Sequence, residues 1–276
     1  MEKTLGIVAG GGSLPRKVVE HCRATGRPFA LAALKNNADE KLLKDVPCIW
    51  IRMGEGGKAW DYFKKQGVEE LVMVGFVKRP SLFSLCPDWL TLKFLTRIGF
   101  KAFGDDDLLS SVVDFLESEG VRVVGVHEVL PDLTAPKGVF GKISPDEQAM
   151  ADIKRGIEVA RGLGALDVGQ SVVVQQGIVL GVEAVEGTDA LIARCADLKR
   201  GGVGGVLVKT KKPSQETRAD LPTVGIRTLE NAKKAGLRGI AVQAGYTLIV
   251  DRDALTQKAD ELGLFVIGVE IGEEKC

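Results

Sequence analysis

Ionisable side chains and glycines are concentrated in residues 186–225, which read EGTDALIARCADLKRGGVGGVLVKTKKPSQETRADLPTVG. Glycines allow the backbone to approach a ligand closely, because they carry no side chain. Cations bind phosphate oxygens, and a carboxylate beside them suits a hard metal ion. The stretch therefore predicts a site for a phosphate-bearing ligand in the second half of the chain.

The candidate residues of this stretch fall into two chemical classes. The candidate phosphate partners are the cations Lys209, Lys211, Lys212 and Arg218. The candidate oxygen ligands for a metal ion are Glu186, Asp189, Glu216 and Asp220. The alternative is a solvated loop rim without a ligand. We favour a ligand site because Asp220 precedes Leu221-Pro222, which places its carboxylate beside a stiff proline turn.

A second glycine-rich motif, GGGSLP at residues 10–15, follows a predicted strand and opens a predicted helix. Backbone N–H groups at such a turn can face a phosphate, helped by the helix dipole. The motif is a poor dinucleotide fingerprint, because Pro15 stands where the third glycine belongs and the second strand ends at Leu34-Lys35 without an acidic residue. The alternative is a glycine turn that serves only tight packing.

The overall composition argues against several classes of protein. The 276 residues carry 37 Lys and Arg against 37 Asp and Glu, so no net field attracts nucleic acid or an anionic membrane. Aromatic residues make up only 5% of the chain, which argues against surfaces that stack bases. We therefore expect no nucleic-acid partner, and any recognition of phosphate must be local.

Cysteines, histidines and apolar runs give little support to other chemistries. The five cysteines are odd in number and form no CxxC pair, so we expect no disulfide framework, no zinc site and a reducing compartment. They are predicted to be buried small apolar groups. His21 and His127 fall in no catalytic pattern. We expect neither a signal peptide nor a membrane span.

Strand and helix patterns alternate in the first half of the chain. Strands are predicted at 5–9, 29–34, 49–52, 71–75 and 121–126. Helices are predicted at 16–25, 57–66 and 106–119, each followed by a glycine that can end it. This alternation predicts a parallel sheet with helices on both faces.

Residues 131–142 contain two prolines and two glycines without periodicity, and they are predicted to link domains 1–130 and 143–276. Ser144 is the expected N-cap of a helix that runs to about Leu163. Strands at 171–175 and 178–184 flank Gln176-Gly177 as a hairpin. The remaining predicted elements are strands at 204–208, 239–242, 247–250 and 265–269 and helices at 229–235 and 254–262. The second half is therefore predicted to be a mixed α/β domain.

Two further segments allow both a structural and a functional interpretation. In the apolar segment 81–100, Leu90, Phe94, Leu95 and Ile98 lie on one predicted helical face. We favour packing on the domain core over a surface for acyl chains or a membrane interface. The carboxylates at 105–107 are expected to cap the following helix, although they could bind a cation.

Three motifs carry a resemblance that spans nearly the whole chain. They are GGGSLP at 10–15, EGTDALIAR at 186–194 and GGVLVKTKKPSQETRADLPTVG at 204–225. On these motifs the chain resembles the LpxI family, the UDP-2,3-diacylglucosamine pyrophosphatases of lipid A synthesis. One position departs from the family: Glu216 stands where an aspartate is usual, which keeps the charge but lengthens the side chain.

The resemblance implies a Rossmann-like N-terminal domain, a C-terminal domain particular to the family and a ligand site between them. It implies Mg²⁺-dependent hydrolysis of the UDP-lipid to UMP and 2,3-diacylglucosamine 1-phosphate. Asp220 is then the essential acidic residue. Our hypothesis is that Asp220 holds Mg²⁺ or orients the attacking water, and that Asp189 and Glu186 complete the metal site. The implied substrate-binding residues are Gly10, Gly11, Gly12, Ser13, Leu14, Thr188, Lys209, Lys212, Gln215, Arg218 and Thr223.

The lipid substrate implies a cytoplasmic protein that touches the inner membrane transiently, and a homodimer is left open. Two other functions stay open on the sequence alone. One is a nicotinamide-dependent oxidoreductase that uses the first domain, against which the imperfect glycine motif counts. The other is a uridine-nucleotide sensor that binds without turnover.

Overall fold

The computed structural model describes residues 2–77, 86–98 and 105–272, with the backbone alone at 105 and 106. Its contacts divide the chain into two compact units. Unit 1 comprises Met1–Pro131 together with Glu216–Asp220, and unit 2 comprises Asp132–Gln215 and Leu221–Cys276. Within the described ranges no helix is both long and apolar enough to cross a membrane.

Unit 1 is built on a five-stranded parallel sheet with the order β3-β2-β1-β4-β5. Its strands are β1 Leu5–Ala9, β2 Phe29–Leu34, β3 Cys48–Ile51, β4 Glu70–Val74 and β5 Arg122–Val123. Its helices are α1 Leu14–Thr25, α2 Glu40–Leu43, α3 Gly56–Lys65, α4 Trp89–Ile98, α5 Asp105–Ser118 and α6 Val126–Val129. The order is that of a doubly wound fold, in which ligands bind outside the carboxyl ends of the strands. The predicted parallel sheet is confirmed.

The loop after β1 lies against the loop after β4, and glycines allow the two backbones to come into contact. The amides of Gly10 and Gly11 donate to the carbonyls of Val74 and Phe76, each at 2.8 Å. Gly75 has φ +94, and a Cβ there would lie 2.4 Å from the carbonyl oxygen of Gly11. The packing alternative therefore accounts for the glycines at 10 and 11.

Helix α4 packs its apolar face on the core of unit 1. Leu90 is buried, and Phe94 meets Phe115 edge-on with ring centroids 5.4 Å apart. Lys93 lies on another face and pairs with Glu119 at 2.6 Å. The favoured interpretation of this helix is confirmed at Leu90 and Phe94, whereas residues 81–85 and 99–100 lie outside the described residues.

Two predictions are only partly confirmed, the strand at 121–126 and the burial of the cysteines. The strand predicted at 121–126 is only two residues long, because the chain turns into α6 directly after Gly125. Among the described cysteines, burial is confirmed for Cys22 of unit 1 and Cys195 of unit 2, and desolvation raises the pKa of both thiols. Cys86, by contrast, is exposed. Cys276 lies outside the described residues.

Unit 2 contains a mixed six-stranded sheet with the order β6-β13-β11-β9-β7-β8. Its strands are β6 Gly138–Phe140, β7 Ser171–Gln175, β8 Ile178–Val182, β9 Val206–Lys209, β11 Gly239–Gln243 and β13 Phe265–Val269. A separate parallel pair joins β10 Thr223–Val224 and β12 Leu248–Ile249. A 3-10 turn covers Pro131–Leu133, and the helices are α7 Glu147–Ala165, α8 Thr188–Cys195, α9 Ile226–Lys234 and α10 Arg252–Leu262. The predicted mixed α/β architecture is confirmed.

Two aspartates, Asp146 and Asp152, bind backbone amides at the start of α7 and at the β7–β8 turn. Asp146 is the N-cap of α7, where its carboxylate accepts from the amide of Ala149, so the predicted cap at Ser144 is wrong. An aspartate directly before the first helical residue can reach this amide, whereas Ser144 lies two residues too early. Asp152 is buried and accepts from the amides of Gln176 and Gly177. The hairpin predicted at these two residues is confirmed.

The contact between the two loops of unit 1 can be tested at Gly75. We expect Gly75→Ala to lower the free energy of unfolding by about 1–3 kcal/mol more than Gly67→Ala, because the new Cβ overlaps the Gly11 carbonyl. Gly67 is the matched control, since its φ is also positive, at +65, but nothing lies within 4 Å of the place that a Cβ would take there. Chemical denaturation followed by tryptophan fluorescence reports on this unit, because Trp50, Trp60 and Trp89 all belong to it. Equal losses in the two variants would contradict the close approach.

Candidate functional site

Polar side chains gather at one edge of the unit 2 sheet. The parallel strands β9, β11 and β13 end there, and Lys209 and Gln243 are the last residues of β9 and β11. The antiparallel strand β7 begins at the same edge with Ser171, and β8 ends there, so that Glu183 follows it directly. Carboxyl edges of parallel strands are where α/β folds hold their ligands.

Three of these residues form a row across neighbouring strands. Ser171 pairs with Lys209 in register, and the amide of Glu183 donates to the carbonyl of Ser171 at 2.8 Å. Directly paired residues project from the same face of a sheet. All three side chains are buried, with exposed fractions of 1% for Ser171, 7% for Glu183 and 7% for Lys209.

The first residue of α8 completes this row. Thr188 accepts a hydrogen bond from the Lys209 ammonium at 2.9 Å and donates its own proton to Oε1 of Glu183 at 2.7 Å. The Ser171 hydroxyl lies 3.4 Å from the Thr188 hydroxyl. We call Ser171, Glu183, Thr188 and Lys209 the buried polar cluster. The structure thus brings the predicted residues Thr188 and Lys209 into direct contact.

Sequence reasoning missed Glu183 and Ser171. Ser171 begins one predicted strand and Glu183 lies near the end of the next, so the pattern predicts strand residues at both positions. The signal that could have identified Glu183 is a carboxylate inside the apolar run IVLGVEAV at residues 178–185. A charged residue within a buried strand needs a partner, and such partners cluster at functional sites.

The loop that follows β9 is held by side chains of its own unit. The Lys212 ammonium pairs with Asp167 at 2.5 Å, and the Lys212 amide donates to the buried Gln215 side chain at 3.1 Å. The Lys211 amide donates to Gln243, and the Lys211 ammonium lies 5.6 Å from the centre of the Tyr246 ring. The structure therefore brings Lys212 and Gln215 into contact, and their role in substrate binding stays a prediction.

The two predicted metal ligands in unit 2 both have cationic partners. Glu186 contacts Arg194 at 2.9 Å and accepts from the amide of Ala184 at 3.0 Å. Its pKa lies below the usual range, because its own backbone amide and then the Arg194 guanidinium stabilise the ionised form. Asp189 accepts from Asn231 at 2.8 Å and also pairs with Arg227.

These contacts bear on whether the residues fit a metal ion. Across residues 2–77, 86–98 and 105–272, no group of three or more Asp, Glu, His or Cys side chains is placed to hold one. The carboxylates of Glu186 and Asp189 are each paired with an arginine. The metal site predicted from Asp220, Asp189 and Glu186 stays a prediction. Mg²⁺ is, however, commonly bound by one or two carboxylates together with substrate phosphates. The exposed carboxylate of Asp220 fits that smaller role.

Residues Glu216–Asp220 form a helical turn that belongs to unit 1 by its contacts. The guanidinium of Arg218 makes two hydrogen bonds to Glu216, at 2.9 and 2.7 Å, and a third to Glu117 at 3.0 Å. The bond to Glu216 is the main cause that raises the Arg218 pKa above its ordinary value. Glu216 is thus an arginine partner in this structure, and Asp220 closes the turn with its amide on the Glu216 carbonyl at 2.9 Å.

The remaining predicted residues lie at the loop after β1 and at β10. The amides of Gly10 and Gly11 donate to β4 and to the loop after it, so packing accounts for this part of the predicted phosphate cradle. A phosphate role for Gly12, Ser13 and Leu14 stays a prediction. Thr223 begins β10, and its hydroxyl donates to the carbonyl of Leu221 at 3.3 Å.

Comparison with known proteins covers both halves of the chain. The family model described as the LpxI N-terminal domain matches residues 4–133. The family model described as the LpxI C-terminal domain matches residues 136–267. A curated protein of Caulobacter vibrioides (strain ATCC 19089 / CIP 103742 / CB 15), named UDP-2,3-diacylglucosamine pyrophosphatase LpxI, is 46% identical over 275 residues. The match covers 97% of this chain and 98% of that protein.

The two interpretations of Glu186 can be separated by its replacement with glutamine. Because the folded state lowers the pKa of Glu186, its contribution to stability is present above the unfolded value and is lost as pH falls through the folded value. We expect Glu186→Gln to lower Tm slightly at pH 7, and the difference from the unmodified protein to shrink as pH falls below the unfolded pKa of about 4.3. Calorimetric melts between pH 3 and pH 8 measure this difference. An unchanged Tm at pH 7, together with a raised Mg²⁺ requirement for activity, would instead favour the metal ligand.

Proposed function

Because this chain belongs to the LpxI family, we propose that it hydrolyses the pyrophosphate of UDP-2,3-diacylglucosamine to UMP and 2,3-diacylglucosamine 1-phosphate. The observation that carries this proposal is the 46% identity to the Caulobacter protein, which extends over 97% of this chain. The buried polar cluster supports it further, since it fixes a cation at a sheet edge that suits an anionic ligand.

Lys209 is the cation best placed to offset charge on a phosphate. Its ammonium is held by the Thr188 hydroxyl, and its side chain is 7% exposed. A charge that is fixed before the substrate arrives, in surroundings with little water, stabilises a developing negative charge more than a mobile solvated one. Lys212 and Arg218 are proposed to assist, each already oriented by a carboxylate: Asp167 for Lys212 and Glu216 for Arg218.

Asp220 is proposed to be the essential carboxylate. Its side chain is exposed at the end of a helical turn, and the chain continues at once into buried Leu221. A carboxylate in this position can orient an attacking water and accept its proton. We propose that Asp220 also holds Mg²⁺, which would withdraw charge from the phosphate oxygens when bound.

Replacement of Asp220 tests the proposal directly. We expect Asp220→Ala to lower kcat by about 10²–10⁴-fold without changing Tm, because an exposed carboxylate with a chemical role is removed. UMP release from UDP-2,3-diacylglucosamine in detergent micelles, with Mg²⁺ and with a chelator, measures the effect. Asp197→Ala is the matched control, since Asp197 is also exposed, and it should retain full activity.

The outcomes distinguish the proposed reaction from its rivals. Activity of Asp220→Ala within a few-fold of the unmodified protein would reject the assignment of Asp220. Binding of UDP-lipid without any UMP release in the unmodified protein would instead favour a nucleotide sensor.

A further inference from the structure

Glu183 carries a carboxylate oxygen that nothing in the described part of the chain satisfies. Its Oε1 accepts from Thr188, whereas Oε2 is buried and has no hydrogen-bond partner among those residues. Burying an ionisable group with an unsatisfied oxygen destabilises a fold. An apolar or amide side chain would destabilise the folded state less at this position. We therefore expect the carboxylate to serve function rather than stability.

The hydrogen bonds of the buried polar cluster can run in only one direction. The Lys209 ammonium has no acceptor, so the Thr188 hydroxyl must accept from it. The single proton of that hydroxyl then points to Glu183, whose ionised carboxylate can only accept. The orientation of the Thr188 hydroxyl, which accepts from the Lys209 ammonium, therefore depends on Glu183.

The backbone holds Glu183 in place on two sides. Its amide donates to the Ser171 carbonyl at 2.8 Å. Gly169 packs so closely against it that a Cβ at residue 169 would lie 2.0 Å from the Glu183 carbonyl oxygen. The backbone of Glu183 is thus fixed, which suits a residue that orients others.

We propose that Glu183 is a positioning residue that fixes the Lys209 ammonium, through the Thr188 hydroxyl, for contact with a phosphate of the substrate. Glu183 itself does not touch the substrate. Its negative charge balances the buried ammonium before the ligand binds, and the hydroxyl between them sets the place of the nitrogen. This inference rests on the proposed pyrophosphatase function.

Glu183→Gln separates a positioning role from a structural one. The amide has nearly the same shape and can still accept from Thr188, but it removes the charge. We expect kcat to fall by at least about 10-fold, since a misplaced active-site group can cost up to about 100-fold. Tm should change little, because the amide removes a poorly satisfied carboxylate but also the negative charge that balances the Lys209 ammonium. Glu158→Gln, on the exposed side of α7, is the matched control and should leave kcat and Tm unchanged.

A double-mutant cycle tests whether Glu183 acts through Thr188. Thr188→Val removes the hydroxyl while keeping the shape, and Thr188→Ser keeps the hydroxyl. We expect Glu183→Gln to lower kcat by less than about 2-fold in the Thr188→Val background, and by its full factor in the Thr188→Ser background. A full additional loss in the Thr188→Val background would overturn the relay.

The remaining outcomes are equally decisive. An unmodified protein that releases no UMP would overturn the proposed function and the positioning role together. An active unmodified protein, with Glu183→Gln within about 3-fold of it, would overturn the positioning role alone. A lower Tm with unchanged kcat would likewise show a structural role. If Glu183→Gln does not fold, loss of at least about 10-fold in Thr188→Val with retention in Thr188→Ser supports the relay, and equal activities overturn it.

Discussion

A buried ammonium is the constraint around which the unit 2 sheet is arranged. Lysine is rarely buried, because its charge loses water and needs a partner in return. Lys209 ends the strand β9 with an exposed fraction of 7%, and the Thr188 hydroxyl accepts from it. The sheet order places β7 between β8 and β9, which brings Ser171 into register with Lys209 and Glu183 next to Ser171. A different strand order would not place Ser171 next to Lys209 and Glu183 next to Ser171.

Unit 1 depends on a different constraint, the close approach of two loops. Its glycine motif resembles a phosphate loop in sequence, but the amides of Gly10 and Gly11 are already bonded to β4 and the loop after it. Each backbone amide has a single N–H donor, so an amide that is bonded within the fold is not available to a ligand. A glycine-rich turn between a strand and a helix therefore does not by itself indicate how many donors are left for a phosphate.

Strands and helices of this chain were largely predictable, because burial imposes periodic patterns on consecutive residues. The parallel sheet, the hairpin at Gln176-Gly177 and the mixed second domain follow from such patterns. Predictions were wrong where a single local contact determines the residue at which a helix or strand begins or ends. Asp146 caps α7 because its carboxylate reaches the amide of Ala149, and the spacing that favoured Ser144 is only slightly different. The strand after Gly120 stops early because the chain turns into α6.

Side-chain partners were harder to predict than elements, because they depend on residues distant in sequence. The motif at 186–194 showed that carboxylates are dense there, but not that Glu186 and Asp189 are bonded to arginines. Carboxylates suit a metal site, and the sequence does not reveal that both of these are paired with arginines in the fold. Glu183 presents the reverse case, since its place in an apolar run suggested a strand residue. Its carboxylate lacks a charged partner in hydrogen-bond contact among the described residues and instead meets a hydroxyl that also holds a lysine. In this fold, the density of charged residues along the sequence indicates function less well than the partners that each charged side chain finds once the strands have paired.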